Sequence, residues 1–330
     1  MAALYRQVLE TASGAARDGT GAVPASPPAV DPADRSSHQW TLRRRRLGSV
    51  AAAWLRALLR SRAERCFGIL LYHRVVALPH GVPLPEDTVT PATFREQMDG
   101  LLTRGYKPWP LSRAVACHAA GRPIPPKTFV VTFDDGYKCL YHEAWPILKE
   151  LAIPATIFLV TAYLDSHLPM SFCCRAGEGV DGVPVTARCS LSTGQCNEML
   201  AGGLVEFGTH THTHADFRGR PEAFRSDLQV SLEVMQRRFN LEGVTFAFPF
   251  GHCGAALAGE AKRAGLLCAL TTKCELVTPQ SDPFEWGRFT AEPYDTAATL
   301  AAKLDGWYGL LQRSWHRWRR KEAIGGAVCP

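Results

Sequence analysis

The stretch VVTFDDGY, Val130 to Tyr137, sets two adjacent carboxylates and a glycine directly after a short apolar run. Two readings of it stand. Asp and Gly are common turn formers, so Asp134-Asp135-Gly136 can be the plain exit turn of a buried strand. Alternatively, like charges this close resist ionising together unless a cation or hydrogen bonds hold at least one of them. The second reading asks the rest of the chain for nitrogen ligands.

The surrounding pattern is strand, helix, strand. Apolar runs at CFGILLYHRV, TFVVTF, ATIFLV, LVEFG, VTFAFPF and LLCALTT predict strands, separated by helical patterns at 92–104, 138–151, 191–202, 221–239 and 255–264. That alternation predicts an α/β fold with a parallel sheet. Its strand number points to a (β/α) barrel, distorted or incompletely closed, with six to eight parallel strands, rather than an open doubly wound sheet. No glycine-rich dinucleotide fingerprint and no internal repeat accompanies it.

The 330 residues leave room for one such domain, 66–312, with appendages. Residues 1–46 read as a disordered leader ending in a basic run, because 11–38 hold hardly a large apolar side chain. Residues 47–65 read as a basic amphipathic helix and 313–330 as a basic tail. The net charge of +6 is unevenly placed, with +7 over residues 40–65 and +4 over 313–322. Two functions fit these ends: contact with an anionic membrane or acidic polymer, and solvated helix ends covering the base of the barrel. Nucleic acid is excluded as a partner, since no recognition motif accompanies the charge.

RRRRLGSVAAAWLRALL has the basic-then-apolar order of a signal peptide, but it lies some forty residues in and Arg56 interrupts it. With no signal and no apolar run long enough to cross a bilayer, the expected location is the cytoplasm or the periphery of the inner membrane. The eleven cysteines are odd in number and scattered, which favours free thiols over a disulfide framework. Residues 165–190 form an irregular insertion. Its cysteines, Cys173, Cys174 and Cys189, with Cys196, lack the paired spacing of a structural zinc site.

The nitrogen ligands come in GTHTHTHADF, after the strand LVEF. Histidines four apart share one face of a helical turn, so His210 and His214 can reach one ion while His212 points elsewhere. Both this cluster and Asp134-Asp135 end predicted strands, where (β/α) barrels place their chemistry. Two imidazoles and one carboxylate with open positions make a water-activating metal site.

TFDDG followed about 75 residues later by HTHTH resembles the first two signature motifs of the NodB-homology polysaccharide deacetylases, metal-dependent amidases acting on N-acetylated sugars. The resemblance runs from about Cys66 to about Leu311, and the ordered pairing of the motifs is what makes it specific. It implies Asp134 as catalytic base and Asp135, His210 and His214 as ligands of a divalent cation, most simply Zn²⁺, with Co²⁺ or Ni²⁺ also suited to the mixed oxygen and nitrogen set. FAFPFG resembles the third motif and puts Pro249 and Phe250 at the acetate pocket and oxyanion. Where the family often has an arginine two residues before that proline, this chain has Ala247, and Arg288 in EWGRFT is the candidate replacement. The family's leucine-x-histidine motif, source of the general acid, normally comes last. Here it fits only early, as Leu71-Tyr72-His73, an order similar to that of the biofilm poly-N-acetylglucosamine deacetylases. A hydrogen-bonded core histidine is the other reading of His73.

Tyr137, Phe217 and Trp286 lie beside these motifs, and each fits either a sugar-stacking groove, with Tyr137 as a substrate contact, or the core. The expected partner is an N-acetylated polysaccharide or oligosaccharide. An O-acetyl esterase or small-amide hydrolase on the same scaffold, and an inactive carbohydrate-binding module, are the competing functions.

Overall fold

The computed structural model of the chain describes residues 46–54, 66–172, 182–241 and 243–309. The expected leader, the basic tail, the end of the basic helix and Cys173 and Cys174 lie outside the described residues.

Three strands read as unbroken apolar runs and are buried along their whole length: β1 (Gly68–Tyr72), β5 (Thr128–Phe133) and β6 (Ala155–Leu159). Burial on both faces is what a parallel sheet under helices requires. The remaining strands are β2 (Arg74–Val75), β3 (Thr88–Val89), β4 (Lys107–Pro108), β7 (Val205–Thr209), β8 (Phe246–Ala247), β9 (Ala269–Leu270) and β10 (Phe289–Thr290). The main sheet runs β10-β1-β5-β6-β7-β8-β9, all neighbours parallel, with β4 pairing the start of β5; β2 and β3 form a separate pair. Seven strands curl through 258°, an incompletely closed barrel as the sequence suggests. A single bridge, Leu270 to Trp286, ties β9 to the segment leading into β10.

A helix at 46–54 precedes the barrel, and within the barrel lie α1 (Pro91–Thr103), α2 (Leu111–Ala119), α3 (Trp145–Glu150, entered through a π turn at Leu140–Ala144), α4 (Thr193–Ala201), α5 (Pro221–Phe239), α6 (Ala255–Arg263) and α7 (Ala297–Leu304). Their starts follow local chemistry. Thr90 caps α1 ahead of Pro91, and Ser192 with Gln195 forms a capping box on α4. At Gly208 in β7 a Cβ would come within 2.5 Å of the Phe158 ring and 2.7 Å of the Thr245 carbonyl, so only glycine lets β6, β7 and β8 close up there.

Several expectations need correction. CFGILLYHRV is two strands, broken at His73. VTFAFPF holds only two strand residues, because the chain leaves the sheet after Ala247 into a short turn, Pro249–Gly251, with Phe250 at φ 59°. Pro249 has no N–H to offer a ladder. Helices α2 and α7 and the two-residue strands β3, β4 and β10 lie outside the elements that the sequence pattern predicts. Phe217 and Trp286 belong to the core, with 7% and 1% exposure, so neither lines a sugar groove. Cys139, Cys189, Cys196 and Cys268 are buried free thiols, as expected.

Candidate metal centre and active site

His73, Asp134, Asp135, Tyr137, His210, His214 and Phe250 follow the C-terminal ends of strands and line part of a cavity of about 360 Å³, while Arg288 stands just before β10, behind the wall. β5 carries the acids. The Asp134 N–H donates to the Tyr72 carbonyl at 3.0 Å, which continues the parallel ladder one residue past the strand. Asp135 and Gly136 then both take φ 69°. Asp tolerates that left-handed geometry better than most residues, and Gly136 does so freely while packing against Leu159. The turn thus separates the two carboxylates into different surroundings.

Asp134 is buried and gripped by a wholly buried Arg288, whose Nη1 and Nη2 donate to Oδ1 and Oδ2 at 2.7 Å each. The guanidinium is itself fixed by Nε donating to the Thr271 carbonyl at 3.0 Å and by Thr132 Oγ at 3.3 Å. Burial by itself would push the Asp134 carboxyl up. The charge of Arg288, then His210, and the hydrogen-bonded fork outweigh it and hold the group far below the ordinary carboxylate range.

His210 follows β7, and its Nδ1 donates to the Ala247 carbonyl at 2.8 Å. That bond leaves the Nε2 lone pair facing Asp135 Oδ1, 3.6 Å away. His214 Nε2 lies 3.4 Å from the same oxygen. The expected helical turn between the two histidines is not formed. The loop is irregular, with Thr211 at φ 70° and His214 at φ 59°. It is held instead by Asp227 of α5, whose carboxylate accepts from the N–H of His212 at 2.6 Å and from Thr213 Oγ at 2.5 Å. His212 turns away, its Nδ1 3.0 Å from Thr161 Oγ.

Asp135 Oδ1 is buried without a hydrogen-bond partner, although two imidazole nitrogens flank it. A carboxylate oxygen in that position fits a cation. A tetrahedral ion about 2.1 Å from each donor needs donors about 3.4 Å apart, close to the spacing seen here. Among the described residues, Asp135, His210 and His214 are the group whose donor atoms could hold a metal, all within 4.8 Å of one another. Burial, partly offset by Asp134, pushes both imidazoles down to about 4, so they stay neutral and able to ligate at neutral pH.

His73 follows β1 and lines the same cavity, with a buried Nδ1 that has no hydrogen-bond partner. Pro249 is buried, whereas Phe250 stands 53% exposed at the mouth with its ring 4.7 Å from His214. Tyr137 reaches the cavity wall but is 1% exposed, and its hydroxyl accepts from Arg74 Nη2 at 2.7 Å. The sequence reading missed Phe172. It comes from the insertion and stacks on His214 at 3.9 Å between ring centroids, 20° from parallel. No periodicity marks it, because it belongs to an irregular loop. Arg74 on the two-residue strand β2, and Glu86 and Asp87 in the loop before β3, also stand on the wall and carry no sequence motif.

The chain matches the family model described as polysaccharide deacetylase over residues 121–269. It is 25% identical over 232 residues to a poly-beta-1,6-N-acetyl-D-glucosamine N-deacetylase of Staphylococcus epidermidis, covering 66% of this chain and 73% of that one. A protein of the same name from Escherichia coli K12 is 24% identical over 209 residues, 54% of this chain and only 30% of the longer relative. Among solved structures, the Streptococcus pyogenes deacetylase PplD in complex with acetate superposes with a TM-score of 0.60 at 20% identity, covering 72% of this chain and 98% of that one. IcaB from Ammonifex degensii gives 0.58 at 24% identity, covering 73% and 96%. At these identities the superpositions speak for the barrel. Residues 121–269 thus match the polysaccharide deacetylase family model, and the chain shares the parallel barrel of these solved deacetylases.

Proposed function

We propose that the chain is a metal-dependent N-deacetylase that hydrolyses acetamido groups on an N-acetylglucosamine polysaccharide or a related lipid-linked sugar. The observation that carries this reading is the division of labour between the adjacent acids. Asp134 is locked in a fork by Arg288, while Asp135 Oδ1 is left bare between two neutral imidazoles. The relatives' names supply the substrate class.

A divalent cation held by Asp135, His210 and His214 would polarise the acetamide carbonyl and lower the pKa of an attacking water to about 7. Asp134 takes the proton from that water. Its fork with Arg288 keeps it ionised and aimed into the site. The Phe250 N–H, on the turn after β8, donates to the developing oxyanion, a preorganised contact of the kind worth roughly 3 kcal/mol. His73 gives a proton to the sugar nitrogen as the C–N bond breaks, so that an amine rather than an amide anion departs. Acetate and a glucosamine unit are the products.

The missing arginine at Ala247 was the feature that favoured an inactive binding module. Arg288, just before β10, grips Asp134 in a fork of the kind that arginine would make, which weighs against the binding module. The test is acetate and free-amine release from N-acetylglucosamine oligomers, before and after chelation and with Zn²⁺, Co²⁺ or Ni²⁺ restored. Metal-dependent amine release is expected. Release of acetate from O-acetyl sugars alone would make the chain an esterase, and no release with metal bound would make it a binding module.

A further inference from the structure

The helix at residues 46–54 is turned inside out. Its small side chains face the barrel: Ser49 and Ala52 are 1% and 0% exposed, and a Cβ on Gly48 would touch the Tyr308 ring at 3.4 Å. Its large apolar side chains face outward, with Leu47 and Trp54 each 69% exposed and Val50 44%. At 100° per residue these three fall in one stripe, opposite Ser49 and Ala52. A contiguous apolar stripe on the outer face of a helix calls for a partner.

The charge around it says which partner. Arg46 opens the helix and is exposed. In sequence the helix is flanked by Arg43, Arg44 and Arg45 on one side and by Arg56, Arg60, Arg62 and Arg65 on the other, against the single acid Glu64. We propose that the Leu47-Val50-Trp54 stripe, beside the exposed Arg46, docks this protein on an anionic membrane surface. An apolar face or a basic cluster alone binds bilayers marginally, and the two together bind stably, with Trp suited to the headgroup layer. The exposed side chains near the cavity mouth are unsuited to that surface, because Leu84 and Leu168 share their loops with Glu86, Asp87 and Asp165.

The stripe also sets an orientation. Gly68, the first residue of β1, packs against Leu304 at the end of α7, and Tyr308 under the helix follows four residues later. His73 and Leu71 line the cavity at the other end of the same strand. At about 3.3 Å per residue the two ends of β1 are roughly 16 Å apart. The membrane face therefore lies at the base of the barrel and the cavity mouth points away from the bilayer, open to a polymer in solution. This inference does not depend on the deacetylase reading.

The experiment uses the full chain with phosphatidylcholine vesicles, with and without phosphatidylglycerol, and the double variant Val50→Ser, Trp54→Ala. The chain should sediment with the anionic vesicles and not the neutral ones, and added salt should release it, since exposed charges are screened within about 10 Å at 0.1 M. The double variant should lower the partition coefficient at least about ten-fold, as two lost apolar anchors require, with its melting temperature unchanged because both positions are exposed. No binding to anionic vesicles overturns the proposal, as does equal binding by the variant. A vesicle-free dimer that the variant dissociates also overturns it, because the stripe is then covered by a second copy.

Discussion

Arg288 and Asp134 stand 154 residues apart in sequence and meet in a fully buried fork, two parallel bonds of 2.7 Å between guanidinium and carboxylate. The fork joins β10 to the end of β5 across β1, which lies between them in the sheet. A single contact thus links closure of the barrel to the aim of the proposed base.

Arg288→Lys should retain the metal while lowering kcat by about 10² or more, because an ammonium cannot make two parallel bonds to one carboxylate. Arg288→Ala should also destabilise the fold by roughly 3–5 kcal/mol, the penalty for stranding one partner of a buried ion pair. Steady-state kinetics with metal analysis checks the first, and denaturant unfolding the second. Full activity in Arg288→Lys would show that Asp134 needs no fork.

His210→Ala or His214→Ala should lose most of the bound metal and nearly all activity, and His212→Ala should lose little of either. Asp227→Ala, which removes the carboxylate bracing the histidine loop, should weaken metal affinity about 10–100-fold without touching a ligand. Metal titration followed by mass spectrometry of the intact protein measures all four. Equal loss from His212→Ala and His214→Ala would overturn the ligand assignment.

His73→Ala should keep the metal and lower kcat on an amide by roughly 10² to 10⁴, the range of a lost general acid. An ester should suffer less, since its alkoxide leaves with less help than an amine. Paired rates on an acetamide and an acetate ester of the same sugar separate the cases. Metal loss, or unchanged rates on both, would return His73 to the core or to the ligand set.

The metal-free protein should lose stability on acidification from about pH 6.5 to about 4. Burial pushes His210 and His214 down to about 4 in the fold. In the unfolded chain they take protons near 6.5, so between these values the unfolded state binds more protons and gains on the native one. Above 6.5 these two groups add no pH dependence, and below 4 their effect is complete. Melting temperatures of chelator-treated protein across this range should fall, and the His210→Ala, His214→Ala double variant should show a flatter profile.

The parallel barrel, and the acids and histidines at its strand ends, are legible in the sequence. Buried parallel strands must be apolar throughout, so β1, β5 and β6 show as runs that need no alignment to be read. Asp134-Asp135 and the three histidines are short local patterns, and their positions after strands place them on one rim. Tertiary structure alone decided what meets across that rim. The pairing of Arg288 with Asp134, the stacking of Phe172 on His214, and the carbonyl of Ala247 orienting His210 each join segments separated by tens of residues or more. Two-residue strands such as β8, β9 and β10 carry too little periodicity to announce themselves, and their place is set by the ladder they complete. The histidine loop shows the same division: the spacing marks His210 and His214 as neighbours, but the helical turn expected between them does not form. Positive φ at Thr211 and His214, braced by Asp227 from a separate helix, brings the two rings to Asp135 instead.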